Sequence, residues 1–148
     1  ETEPALSPDG NFVVFVREDN LFRQELENGR TRRLTGGFKK TRAPRFRADR
    51  RLLCLWAQDK QFGIDVLDAD GKNRETLSVG TTCYRKLAPS PDGRYFAATF
   101  SFDLRFHPLD ALRPRHVEAI HLLDARGNFL APLVQAFGDS NHSPEWAR

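Results

Sequence analysis

The stretch Ser7-Pro8-Asp9-Gly10-Asn11-Phe12-Val13-Val14-Phe15 decides the fold, because it returns as Ser90-Pro91-Asp92-Gly93-Arg94-Tyr95-Phe96-Ala97-Ala98. A worn copy, Arg47-Ala48-Asp49-Arg50-Arg51-Leu52-Leu53-Cys54-Leu55, lies between them. The aspartates at 9, 49 and 92 set a period of 40 and then 43 residues. Self-similarity at that period marks a repeat architecture. Each copy opens with a turn: Pro pre-sets φ, Asp bonds the backbone two residues on, and Gly accepts positive φ. The β-branched and aromatic run after the turn reads as a buried strand. The middle copy has lost Ser, Pro and Gly, which puts its turn in question and leaves its strands untouched.

The second halves of the units repeat as well. Leu21-Phe22-Arg23-Gln24-Glu25-Leu26-Glu27-Asn28-Gly29 is matched by Ile64-Asp65-Val66-Leu67-Asp68-Ala69-Asp70-Gly71 and by Ile120-His121-Leu122-Leu123-Asp124-Ala125-Arg126-Gly127. Each runs as a strand into a glycine-bearing hairpin turn. A closing strand follows, at Leu34-Thr35, Leu77-Ser78 and Leu133-Val134. A short strand is expected before each head turn, around Pro4-Ala5-Leu6, Pro44-Arg45-Phe46 and Leu87-Ala88-Pro89. Four strands in about 40 to 45 residues is the size of a β-propeller blade. The expected fold class is therefore all-β: three four-stranded antiparallel blades in one partial propeller over 1–148, with repeats at 4–43, 44–86 and 87–143. Pro144-Glu145-Trp146 lines up with Pro44-Arg45-Phe46 and reads as the start of a fourth blade. The single helix candidate is Pro108 to His116, which Pro114 would interrupt.

These repeats resemble the propellers of the TolB family and of prolyl-oligopeptidase-type peptidases, where Pro-x-Trp-Ser-Pro-Asp-Gly is followed by a strand, an Asp-x-x-Gly hairpin and Leu-Thr. Leu6-Ser7-Pro8-Asp9-Gly10 and Leu34-Thr35 fit that pattern. Val13-Val14-Phe15-Val16-Arg17-Glu18-Asp19-Asn20-Leu21 looks like the peptidase version, and Val66-Leu67-Asp68-Ala69-Asp70-Gly71 like the TolB version. The resemblance covers the chain apart from residues 101–117. It implies a non-catalytic interaction module with a protein partner, periplasmic or secreted. An alternative is the propeller that gates a serine peptidase whose catalytic part lies elsewhere. A third is a metal-dependent oligosaccharide lyase, since related propellers hold a divalent metal with histidines.

Asp9, Gly10, Asp92 and Gly93 are turn builders in this reading and carry no chemistry. No Gly-x-Ser-x-Gly elbow, phosphate loop or paired-cysteine zinc signature occurs. His107, His116, His121 and His142 show no ligand spacing, even with Gln135 near His142, so neither a metal nor another cofactor is expected. Cys54 and Cys83 are too few for a disulfide framework, and two free thiols are the simpler expectation over a bridge.

The net charge is +3, with basic residues crowded between Arg32 and Arg51. They read as solvated strand edges and loops. A patch for an acidic partner is the sharper alternative. Aromatics interleaved for base stacking are missing there, so no nucleic-acid partner is expected. No apolar run reaches a membrane span, so no membrane insertion is expected. The chain has 148 residues, begins with Glu1 and contains no Met, and is expected to be a piece of a larger propeller protein. Three blades leave edges open, and a homo-oligomer that covers them is a further expectation.

The third unit departs from the repeat. Asp92 to Gly127 takes 35 residues, against 20 and 22 for the same interval in units one and two. The excess falls at 101–117 and mixes Phe, Leu and Arg. Long loops on rigid scaffolds often carry function. Phe102, Arg105, Phe106, His107, Arg113, Arg115 and His116 are therefore the candidate partner-binding residues. The plainer reading is a loop folded back onto its own blade.

Overall fold

A computed structural model describes residues 4–104, 115–137 and 146. Among the described residues twelve strands form three four-stranded antiparallel sheets, each in simple sequence order. The first holds β1 (Ala5–Leu6), β2 (Phe12–Arg17), β3 (Asn20–Glu25) and β4 (Thr31–Arg33). The second holds β5 (Lys40–Phe46), β6 (Leu52–Gln58), β7 (Gln61–Leu67) and β8 (Glu75–Gly80). The third holds β9 (Tyr84–Pro89), β10 (Tyr95–Leu104), β11 (Arg115–Asp124) and β12 (Phe129–Phe137). The first strands β1, β5 and β9 pack on one another, so the sheets fan out from that inner edge. These are propeller blades. No described helix is long and apolar enough to cross a membrane.

Two apolar seams join the blades. Phe12, Val14 and Leu21 of sheet one meet Leu52, Cys54 and Leu67 of sheet two. Leu53, Leu55, Ile64 and Val66, on the opposite face of sheet two, meet Leu87, Phe96, Ala98 and Leu123 of sheet three. The central blade is thus buried on both faces, which is why Leu52-Leu53-Cys54-Leu55-Trp56 is an unbroken apolar run.

The head turns show how the local sequence sets this packing. In unit one the Ser7 hydroxyl donates to Asp9 at 2.7 Å and accepts the Phe12 N–H at 3.0 Å. Ser90 repeats both bonds, to Asp92 at 2.6 Å and from Tyr95 at 3.0 Å. The backbone therefore closes from Ser7 to Phe12 and from Ser90 to Tyr95, spanning five residues. Arg47 has no hydroxyl to bridge that gap. The second turn survives, with Arg50 at φ 64°, its N–H donating to the Arg47 carbonyl and the Arg51 N–H donating to Asp49. It closes from Arg47 to Arg51, one residue sooner. A one-residue slip moves every side chain to the other face. Leu53, not Cys54, therefore takes the place of Val14. The expectation that the worn motif disturbs the turn and spares the strand is reversed: the turn is kept and the strand changes phase.

Two further sequence readings are corrected. Arg115 and His116, the end of the helix candidate, are strand residues; the rest of that candidate lies outside the described residues. The 101–117 insertion is not simply a long loop, because residues 101–104 pair with 115–118 as an extension of the β10–β11 hairpin.

The Leu-Thr and Leu-Ser closures also gain a physical role. The hairpin glycine Gly71 (φ 87°) lies so near the backbone of Leu34 that a Cβ would sit 2.8 Å from its carbonyl oxygen. Gly127 (φ 82°) lies less tightly, with a Cβ there 3.1 Å from the Ser78 Cβ and 3.5 Å from that of Leu77. Gly29 also has positive φ (68°) and no such neighbour. Gly71→Ala is expected to cost about 2 kcal/mol or more, and Gly29→Ala about 1 kcal/mol, from the left-handed backbone alone. Equilibrium urea unfolding of the two variants measures the difference, and equal losses would remove the seam contact as a cause.

The Ser90 hydroxyl, then the Arg94 N–H, hold the Asp92 carboxyl down at about 2 from an ordinary 3.8. A depressed carboxyl stabilises the fold above its unfolded value, and that contribution is lost as pH falls through the folded one. Ser90→Ala is expected to move the Asp92 titration upward toward the ordinary value, followed by carboxyl-carbon NMR. An unchanged midpoint would show that the backbone donors suffice.

Candidate protein-interaction surface

Antiparallel order sorts the connections between two ends of the blades. The head turns and the glycine hairpins share one end. The other end carries the tips after β2, β6 and β10 and the crossovers β4–β5 and β8–β9. The second end differs from blade to blade.

Its first element is the β4–β5 crossover. Gly36-Gly37 leads into Phe38, which is 91% exposed. The crossover is anchored behind it: the Thr41 N–H donates to the Asp19 carbonyl at 2.7 Å, and Lys40 pairs with Asp19 at 3.7 Å. Lys39 turns inward, its ammonium 3.9 Å from the Trp56 ring centroid and 3.6 Å from the buried Asp65. A cleft of about 660 Å³ opens beside the loop, lined by Phe38, Lys40, Gln58, Asp59, Lys60 and Phe62. An exposed aromatic over a cleft with polar walls is the composition of an interface anchor.

The second element is the lengthened hairpin. β9 pairs with β10 only as far as Phe100 opposite Tyr84, whereas β10 and β11 continue to Leu104 opposite Arg115. β12 accompanies the extension to Phe137, opposite Val117. Blade three therefore projects beyond its inner strand at this end. The backbones of Phe102, Arg115 and His116 lie on the projection, opposite Val117, Leu104 and Asp103. Arg105, Phe106, His107 and Arg113 lie outside the described residues. Sequence reasoning missed Phe38 because a lone Phe beside Gly-Gly looks like an ordinary turn. The clue available was an apolar residue with no strand periodicity around it.

Below the projection, His121 is enclosed by aromatic rings. Its centroid is 4.4 Å from Phe100 and 4.7 Å from Phe129, and its Nδ1 lies 3.1 Å from the Tyr84 hydroxyl. Burial pushes His121 below its ordinary value and Tyr84 above its own. Among the described residues no three His, Cys, Asp or Glu side chains gather as a metal site. His107 and His142 fall outside the described residues.

Both cysteines are free. Cys54 is fully buried, and burial, then the neighbouring Asp65, pushes its thiol up to about 12. Cys83 is partly exposed and accepts from the Arg42 guanidinium at 2.9 Å. One thiol is expected to react with a disulfide reagent in the native protein and two after unfolding. Two rapid native equivalents would contradict the burial of Cys54.

Residues 1–43 match the dipeptidyl peptidase IV (DPP IV) N-terminal region family. No curated protein matches the chain in sequence. Among solved structures, a putative TolB from Agrobacterium tumefaciens superimposes with a TM-score of 0.74 at 21% identity. The match covers 93% of this chain and 50% of that one. The fold is that of a TolB-like propeller, in part. The Pyrococcus horikoshii acylaminoacyl peptidase aligns with a TM-score of 0.60 at 14% identity, over 92% of this chain and 25% of its own. TolB from Acinetobacter baumannii aligns with a TM-score of 0.60 at 18% identity, over 87% and 31%. The chain thus spans half or less of the length of these three structures. The TolB and peptidase resemblance read from the repeats holds at the level of the fold.

Proposed function

We propose that the chain is a non-catalytic propeller module that binds a protein partner through the crossover end of its blades. The observation that carries this reading is the β10–β11 hairpin, which outruns its inner strand at the same end as the exposed Phe38. A rigid two-seam scaffold with one irregular end is how loops on fixed folds are used for recognition. The seven residues Phe102, Arg105, Phe106, His107, Arg113, Arg115 and His116 supply aromatic and guanidinium groups suited to such contacts. The TolB likeness favours an exported protein, periplasmic or secreted, and the partial coverage favours a piece of a larger propeller. The match of residues 1–43 to a peptidase propeller region supports a second reading, in which this module gates a serine peptidase encoded on the same parent chain.

Partner proteins retained by the immobilised chain are expected to be lost with the Arg105→Glu/Arg113→Glu double variant and weakened by Phe38→Ser. Retention unchanged in both variants would rule out this end as the contact surface. A Gly-x-Ser-x-Gly segment in the parent gene would favour the gating role.

A further inference from the structure

The inner strands of blades two and three are basic without carboxylates. Residues 39–48 contain Lys39, Lys40, Arg42, Arg45 and Arg47, residues 84–91 contain Arg85 and Lys86, and neither stretch contains Asp or Glu. Lys39, Lys40 and Arg47 find acids elsewhere, in Asp65, Asp19 and Asp49. Arg42 does not. Its guanidinium crosses the seam and donates to the Cys83 sulfur at 2.9 Å and the Tyr84 carbonyl at 3.3 Å. Its Nε is shielded from solvent with no hydrogen-bond partner. The next residue after Tyr84 is Arg85, which is exposed and forms no ion pair among the described residues. Both strands bulge here, at Ala43-Pro44 just after Arg42 and at Arg85 itself. Bulges re-aim side chains beside functional sites. The Arg42 guanidinium thus sits against the backbone just before Arg85, partly desolvated against neutral acceptors only. That arrangement is unfavourable until an anion joins it.

We propose that Arg42 and Arg85 form a carboxylate-binding site at the inner mouth of the crossover end, and that it takes an acidic segment of the partner polypeptide. The site rests on the protein-binding reading above and specifies the chemistry of the partner. Planar guanidinium groups suit carboxylates, and two on adjacent strands favour a run of acidic residues over a single one.

The test uses a fluorescein-labelled hexaglutamate peptide and fluorescence anisotropy. The chain is expected to bind it, more weakly as salt rises. Arg85→Glu and Arg42→Gln are each expected to weaken binding about tenfold or more, as loss of a charge-assisted hydrogen bond does. Arg126→Glu, the same charge change in the opposite-end hairpin, is expected to leave it within about twofold. Circular dichroism checks that Arg42→Gln folds, and the exposed Arg85 serves as the independent variant. Absence of hexaglutamate binding, or equal loss in Arg126→Glu, would overturn the site. Tighter, Arg85-dependent binding of oligogalacturonate or a DNA oligonucleotide would overturn its assignment to a polypeptide. If the Arg105/Arg113 variant loses the natural partner while Arg85→Glu keeps it, the protein-binding reading stands and the acidic-segment site falls.

Discussion

Every other feature of the molecule depends on one constraint: a sheet apolar on both faces must be covered on both. Blade two meets it fully. Leu52, Leu53, Ile64, Val66 and Leu67 have no exposed surface, and each such side chain is worth roughly 1.5 to 3 kcal/mol relative to solvent. Among the described residues blade one is covered on one face only, and its other face keeps the half-buried stack of Phe15 on Phe22, 6.0 Å apart, with Arg17 lying over Phe22. In blade three the Trp146 indole donates to the Ala88 carbonyl on β9 at 2.8 Å.

The first seam carries a polar clamp inside its apolar packing. Asp65 is fully buried on the face turned to blade one, where an unpaired carboxylate would be costly. Arg74 and Thr76 donate to it, and Lys39 adds a third positive or donating group from the β4–β5 crossover. Removing one partner would leave a buried charge uncompensated, which costs more than the intact pair gains. The clamp therefore fixes the base of the crossover whose tip is Phe38. Recognition at that tip starts from an anchored loop, which lowers the ordering cost of binding.

Most of the architecture was legible in the sequence because its signals are short-range. Ser-Pro-Asp-Gly and Asp-x-x-Gly act within five residues, and the fall of these turns at a fixed period gave three blades. What could not be read was phase. In Leu52-Leu53-Cys54-Leu55-Trp56 either register buries apolar groups, so alternation says nothing about which face meets which blade. The deciding group is the missing hydroxyl at Arg47, and its effect is visible only once the partner N–H is placed. The insertion was found by counting residues, but its character was misjudged. Residues 101–104 and 115–118 carry mixed side chains, and their strand form comes from pairing across the hairpin, a tertiary effect that local propensity does not contain.

The basic stretch shows how topology changes the meaning of charge. Read along the chain, Arg42, Arg45 and Arg47 look like the edge charges that keep strands from aggregating. In the fold they lie on or just after β5, the inner edge strand of sheet two, which packs beside β9. Cations there cannot be explained as protection of an outer edge. That role falls to Arg32 and Arg33 on the three-residue outer strand β4, which is fully exposed. Charge placed at an inner edge, with one guanidinium satisfied only by sulfur and a carbonyl, is better suited to receive something than to repel it.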